Sequence, residues 1–243
     1  MARTLDQIHR EKTGKISDKW ASYLPYYDRL FSEMRNSPIT FLEIGVQNGG
    51  SLETWATYFA NAIGIVGCDI DPRCGHLEFD DSRIKVVVGD ANEAATLTRI
   101  NELAKSFDII VDDGSHRSHD IINCFLGFFR SLKPGGLYIV EDAHALYWPG
   151  WGGGIRNKYS AYHFFKNLID VLSFEFWRND LSLASHFAAF FPDGRLPTVI
   201  ANGWVDAIEF RNSVIAVRKA TVAGHSKLGE RLTCGGIGLP PAS

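Results

Sequence analysis

The sequence predicts an α/β fold: a mostly parallel sheet with helices on both faces, finished by an antiparallel hairpin near the C-terminus. Three observations predict it. Short, near-continuous apolar runs recur along the chain ("ITFLEIGV", "IGIVGCDID", "RIKVVVGD", "FDIIVDDG", "GLYIVED"), and strands covered on both faces read that way. Helical stretches separate them. Late in the chain, "VDAIEF" and "VIAVRKA" flank "RNS", which is a hairpin signal.

Taken in order, residues 1–36 are polar and helical in pattern. Within them "KWASYLPYYDRLFSEM" sets aromatics and Leu at spacings that form one face. Pro38 breaks the chain before the first strand, and "SLETWATYFANA" reads as the helix after it. "NEAATLTRINELAKS" is a helix with Asn92 as its expected N-cap. "SHDIINCFLGFFRSLK" is a strongly apolar helix, expected to close at Pro134-Gly135-Gly136. The tail "GHSKLGERLTCGGIGLPPAS" is rich in Gly and Pro and is expected to be mobile. The chain therefore divides into an N-terminal helical segment (1–36), one α/β domain (37–220) and a tail (221–243), with no internal repeat and no second core.

Composition narrows the function. The 243 residues are 45% hydrophobic and 22% charged, as in an ordinary globular domain with a sizeable core. A net charge of -3 and a pI near 6.2 argue against nucleic acid as a partner, because phosphate binding wants a basic face. No apolar run approaches the ~20 residues that span a bilayer. The polar start "MARTLDQIHREKTGK" has no apolar h-region, so no secretory signal is expected. Cys68, Cys74, Cys124 and Cys234 are scattered without a C-x-x-C, which suits reduced thiols in a cytoplasm. A homo-oligomer is compatible with all of this.

In such a sheet, ligands bind beyond the carboxyl ends of the strands. The first strand runs into "LEIGVQNGGS", where Glu43, Gly45, Gly49 and Gly50 make an E-x-G-x-x-x-G-G loop. Glycines let a ligand approach the backbone, and the next helix offers free N–H groups. Gln47 stands where a dinucleotide fingerprint needs its second glycine, so a pyrophosphate is poorly served; a tight strand-to-helix turn is the other reading. Asp69, at the end of the second strand, is placed to hold a ribose diol, with Asp71 beside it; Asp71-Pro72 also reads as a turn. Asp90 ends the third strand and suits an adenine amino group or a turn. These features in this order fit an adenosine compound without a pyrophosphate, S-adenosylmethionine (SAM) above all.

Two further strands each end in adjacent acids followed closely by a histidine: Asp112-Asp113 with His116, and Glu141-Asp142 with His144. The stretches "LEIGVQNGGS", "GCDIDP", "VVVGDAN", "FDIIVDDGSH" and "GGLYIVEDAHALYWPGWGGG" together resemble the class I SAM-dependent methyltransferases. Within that class the chain looks most like the metal-dependent sugar O-methyltransferases of macrolide biosynthesis, of the mycinamicin and macrocin type, with the cephalosporin-hydroxylase-like family as a relative. The resemblance covers roughly residues 17–155. It implies a Rossmann-like, mostly parallel seven-stranded sheet in which the fourth and fifth strands are neighbours. Adjacent strands lie about 4.8 Å apart, so carboxylates at both ends converge on one cation. Oxygen ligands select a hard ion: Mg²⁺ first, with Mn²⁺ or Ca²⁺ as alternatives.

Carried over by motif, the metal ligands are Asp113, Glu141 and Asp142, although spacing alone does not choose between Asp112 and Asp113. Asp112 is expected to cap the next helix or to stand beside the cofactor. Glu43, Gly45, Gly49, Ser51, Asp69, Asp90 and Asp112 form the expected cofactor set. His116 matches the histidine of the D-G-S-H motif, the general base of the similar enzymes; His119 is its nearest rival. Tyr147, Trp148 and Trp151 suit a lid over a small-molecule hydroxyl acceptor such as a sugar, or else a hydrophobic plug over the core, and His144 either lines the pocket or is a packed or exposed loop histidine. "SDKWASYLPYY" resembles the segment that covers the cofactor; Lys19 in it either approaches the methionine carboxylate or is a solvated lysine. A nucleotide-dependent oxidoreductase or epimerase is the alternative function, disfavoured by the missing G-x-G-x-x-G and Tyr-x-x-x-Lys. A non-catalytic SAM- or metal-binding module is the other, disfavoured by the intact acids and His116.

Overall fold

The computed structural model describes residues 3–178 and 180–236. Two helices open the chain, α1 (Leu5–Arg10) and α2 (Tyr23–Leu30). Strands and helices then alternate: β1 (Thr40–Ile44), α3 (Gly50–Tyr58), β2 (Gly64–Asp69), β3 (Ile84–Val88), α4 (Ala94–Leu103), β4 (Phe107–Asp112), α5 (Ser118–Phe128) and β5 (Leu132–Val140). Helices α6 (Ala161–Leu172), α7 (Leu183–His186) and α8 (Thr198–Ala201) precede the hairpin β6 (Val205–Arg211) and β7 (Val214–Lys219).

All seven strands form one sheet in the order β3-β2-β1-β4-β5-β7-β6. Strands β1 to β5 pair in parallel, and β7 runs antiparallel to both β5 and β6. This is the class I methyltransferase architecture. Every residue of β1 is buried, because side chains alternate between two covered faces. Leu42, Val66 and Ile110 join α5 and α6 in one core through Phe125, Phe164 and Phe165. Phe41, Ile65 and Ile109 join α1, α2 and α3 in the other through Tyr27 and Trp55.

The strand order reverses between β1 and β4, which opens a crevice at their carboxyl ends. The registers keep those ends level. Ile44 lies beside Cys68 and Asp112, and Asp112 lies beside Val140. The two acid pairs therefore meet edge to edge, as the resemblance implied.

Two local expectations are corrected. Helix α5 stops at Phe128, and Pro134-Gly135-Gly136 lie inside β5. Proline fits there because the β4–β5 pairing shifts register between Phe107 and Ile109, so its missing N–H costs the ladder nothing. Asn92 does not cap α4; Glu93 occupies that position without a side-chain bond. Asn92 instead donates its backbone N–H and its Nδ2 to Asp90 Oδ1, at 2.9 and 3.0 Å. The tail forms no helix or strand as far as residue 236, but its start is tethered. His225 Nε2 lies 3.0 Å from the Ala201 carbonyl, and Lys227 donates to that of Val205. Residues 237–243 of the tail lie outside the described residues.

The end of α5 has a distant cause. Lys219 closes β7, and its buried ammonium donates to the carbonyls of Phe129, Arg130 and Leu132 at 3.0, 3.3 and 2.6 Å. It satisfies the free carbonyls of the helix end and complements the helix dipole. Lys219→Met is expected to destabilise the chain by roughly 2–4 kcal/mol, since stranded buried carbonyls cost about 1–3 kcal/mol each before any water enters. Equilibrium urea unfolding checks this; a change below ~0.5 kcal/mol, the usual surface value, would refute it.

Candidate active site at the carboxyl ends of the strands

A strap from the N-terminus crosses the strand ends. Lys12 and Lys15 pair with Glu53 of α3. The Ile16 carbonyl lies so close to Gly50 that a Cβ there would collide with it. Gly45, at φ +90°, packs as closely on the Asp113 carbonyl, so the loops after β1 and β4 touch where only glycine fits.

The crevice is a cavity of about 840 Å³, lined among others by Gly45, Asp69, Asp90, Asp112, Asp113 and His116. Asp69 shapes the glycine loop: its Oδ2 accepts the N–H groups of Val46 and Gln47, both at 2.8 Å, and its Oδ1 that of Asp71 at 2.9 Å. Asp112 accepts the Tyr138 hydroxyl at 2.9 Å. Burial pushes its carboxyl up to about 7, against the pull of that hydrogen bond. Glu43, Gly49 and Ser51 do not line the cavity. Glu43 is wholly buried behind it, accepting the Ser51 hydroxyl and Trp55 Nε1, and so ties α3 to β1.

The acids meet around a lysine. Lys19 Nζ lies 2.6 Å from Asp113 Oδ2, 2.7 Å from Glu141 Oε2 and 3.8 Å from Glu43 Oε1, with its side chain only 6% exposed. Burial alone would lower the ammonium's pKa, but Glu141, Asp113 and Glu43 override it and hold it well above its usual value. Burial, then Asp113, raises Glu141, with Lys19 opposing. The reading of Lys19 as a solvated lysine is thus overturned. On the other side of Asp113, His116 Nε2 stands 4.0 Å from Asp113 Oδ1 and 4.0 Å from Asp142 Oδ2. Asp113, His116 and Asp142 offer ligand atoms that all lie within 4.8 Å of one another. His116 and Asp142 both adopt positive φ, +56° and +49°, an uncommon conformation outside glycine that clusters at functional sites.

His119 is exposed and turns to Asp120 and Asn123 on α5, away from the acids. His144 shares a hydrogen between Nδ1 and Ser213 Oγ. Its ring lies edge-on to Trp20 and Trp148, with centroids 6.2 and 5.0 Å away, and Trp148 meets Trp151 at 5.4 Å. Tyr147 leans on Tyr162. Trp20 is 60% exposed, Trp148 47% and Trp151 40%, so these rings stand at the surface.

Sequence reasoning set Lys19 beside the methionine carboxylate or in solvent and not among the acids, and it did not single out Tyr23, Ser213 or Trp20. No local signal marks them: Lys19 reaches Asp113 and Glu141 across 94 and 122 residues of chain.

Residues 42–143 match the family described as "Methyltransferase domain". By this match the segment is similar to a methyltransferase domain. Around it the chain is 37% identical over 170 residues to demethylmacrocin O-methyltransferase of Streptomyces fradiae, covering 65% of this chain and 42% of that protein. It is 31% identical over 219 residues to 8-demethyl-8-alpha-L-rhamnosyl tetracenomycin-C 2'-O-methyltransferase of Streptomyces olivaceus, covering 86% and 53%. Among solved structures it resembles the MycE methyltransferase of the mycinamycin biosynthetic pathway, determined in complex with Mg and SAH: 30% identity, TM-score 0.72, 90% of this chain and 55% of that one. The chain spans between 34% and 53% of the length of the curated relatives it matches. Among its described residues, no helix is long and apolar enough to cross a membrane.

Proposed function

We propose that the chain is a SAM-dependent, divalent-cation-dependent O-methyltransferase, and that its acceptor is a hydroxyl on the sugar of a natural-product glycoside. One observation carries the reading: His116 Nε2 stands equidistant from Asp113 and Asp142 at the wall of the cavity. The sugar O-methyltransferases among the relatives, and the Mg and SAH bound to MycE, support it.

The residues fit a hard cation. Glu141 Oε1 is buried without a hydrogen-bond partner, and the donor set beside it is rich in carboxylate oxygen. Asp113 and Asp142, with Glu141 behind them, would hold Mg²⁺, or Mn²⁺ or Ca²⁺ in its place. Its charge would make an acceptor hydroxyl more acidic. The chain's own groups do the rest. Asp69, Asp90 and the Gly45 loop hold the adenosine end of SAM. The aromatic rim of Trp20, Trp148 and Trp151 offers faces for the sugar. His116 takes the hydroxyl proton at Nε2; the oxygen forms its bond to the methyl carbon as the carbon–sulfur bond breaks, leaving S-adenosylhomocysteine. Holding donor and acceptor in line is where most of the acceleration arises.

Ligand stabilisation tests the cofactor half of the reading. S-adenosylhomocysteine at ~100 times its Kd should stabilise the fold by about 2.7 kcal/mol, whereas NADH should do nothing. Incubation with SAM, Mg²⁺ and a panel of glycosylated macrolides and aromatic polyketides should release S-adenosylhomocysteine and add one methyl group to a sugar. Protection by NADH alone would revive the oxidoreductase.

A further inference from the structure

Each of the three acids at the site has one oxygen held and one left over. Lys19 takes Asp113 Oδ2 at 2.6 Å and Glu141 Oε2 at 2.7 Å. Tyr23, four residues further along the strap, donates to Asp142 Oδ1 at 2.8 Å and accepts the Asp142 N–H at 3.3 Å. The oxygens left over are Asp113 Oδ1 and Asp142 Oδ2, which flank His116 Nε2, and Glu141 Oε1, which is buried and unbonded. A carboxylate on a free side chain turns about its last bond and offers either oxygen. These three are held by two residues of the N-terminal segment, Lys19 and Tyr23, which lie outside the strand-end motifs that carry the acids.

We propose that Lys19 and Tyr23 are positioning residues of the cation site: they fix which oxygen of Asp113, Glu141 and Asp142 is presented to a divalent cation. The inference rests on the cation-dependent reading above. Charge supports it against the simpler idea that the ammonium stands where the cation belongs. Glu43, Asp113, Glu141 and Asp142 form one cluster of four carboxylates, and Lys19 is the lysine among them. One ammonium leaves an ionised cluster with surplus negative charge, so it and a divalent cation fit together as co-occupants. Geometry agrees, since Lys19 approaches Asp113 from the Glu43 side, and His116 and Asp142 lie at its other oxygen. Tyr23 in turn is fixed by Ser213 of the β6–β7 turn, whose Oγ lies 2.7 Å from the phenol oxygen. The last hairpin of the fold thus reaches the site through Tyr23.

Mn²⁺ titration followed by electron paramagnetic resonance tests this without turnover. Groups that orient metal ligands typically contribute 10–100-fold to affinity, so Tyr23→Phe and Lys19→Met should each weaken Mn²⁺ binding by roughly 10-fold or more. The circular-dichroism spectrum of each variant certifies its fold, and the S-adenosylhomocysteine affinity of Tyr23→Phe should stay within about twofold of wild type, well below the tenfold that 1.4 kcal/mol represents. Lys19→Met is the sharper arm, because loss of a nearby positive charge should by itself tighten a cation. Tighter or unchanged Mn²⁺ binding in that variant makes Lys19 a competitor and overturns the proposal. Tyr23→Phe removes one oxygen and no charge; if Lys19→Met does not fold, Tyr23→Phe decides alone, and unchanged affinity there overturns the proposal too. A wild-type chain that binds no Mn²⁺ defeats the cation reading together with this inference, whereas wild-type binding matched by both variants defeats this inference alone.

Discussion

Replacing His116 by alanine is expected to cut turnover by roughly 10²–10⁴, the usual worth of a positioned general base, and to leave S-adenosylhomocysteine affinity nearly unchanged. Its Nε2 stands 4.0 Å from carboxylate oxygens on both sides, so no other histidine is as well placed. His119 faces away on the surface, and His144 has its Nδ1 committed to Ser213. On the function proposed above, the adenosine end of SAM would be held by Asp69 and Asp90, at the ends of other strands, which is why binding should survive. His116 also sits at φ +56°, where alanine is strained. His116→Asn is therefore the better-folded control, since asparagine tolerates that conformation. Both variants should lose turnover alike. Full kcat in either, with SAM saturating, would transfer the role to His144 or to water.

Much of this was legible in the sequence, for a physical reason. Strands β1 to β5 are buried on both faces, so they read as apolar runs, and a charge at the end of such a run stands out. Spacing did not separate Asp112 from Asp113, but the alternation of a strand does. Asp112 turns inward to Tyr138, and Asp113 turns to Lys19 and His116. Glu43 was expected in the cofactor set because a carboxylate beside a glycine loop looks like a ligand group; here Ser51 and Trp55 hold it behind the cavity wall. What stayed hidden depends on contacts distant in sequence. Helix α5 ends where Lys219, 90 residues later, meets Phe129. Residues 155–200 carry no strand signal, and their helix α6 owes its place to Phe164 and Phe165 packing on Phe125. Lys19 looked solvated because nothing near it in sequence reveals the three acids around it.

Exhaustive chelation is expected to abolish most turnover, and added Mg²⁺ to restore it. Like charges at the ends of neighbouring strands disfavour one another's ionised form, and Lys19 relieves only part of that. A bound divalent cation is worth several kcal/mol of charge stabilisation in reactions of this kind, and ~3 kcal/mol corresponds to about a hundredfold in rate. The structure separates the acids more finely than their motif does. Asp113 and Asp142 are partly exposed, at 24% and 30%, and flank His116, so Asp113→Asn and Asp142→Asn should mimic chelation without unfolding the chain. Glu141 is buried, and burial with its acidic neighbour already raises its pKa; Glu141→Gln should impair turnover while relieving that cost, so its melting temperature should hold or rise. Asp112→Asn keeps an acceptor for the Tyr138 hydroxyl and should stay responsive to Mg²⁺. Full activity in excess chelator, with no metal found by elemental analysis, would sink the cation reading. Lys19 would then be the cluster's only positive partner, and Glu141 Oε1 would remain a buried oxygen without a function.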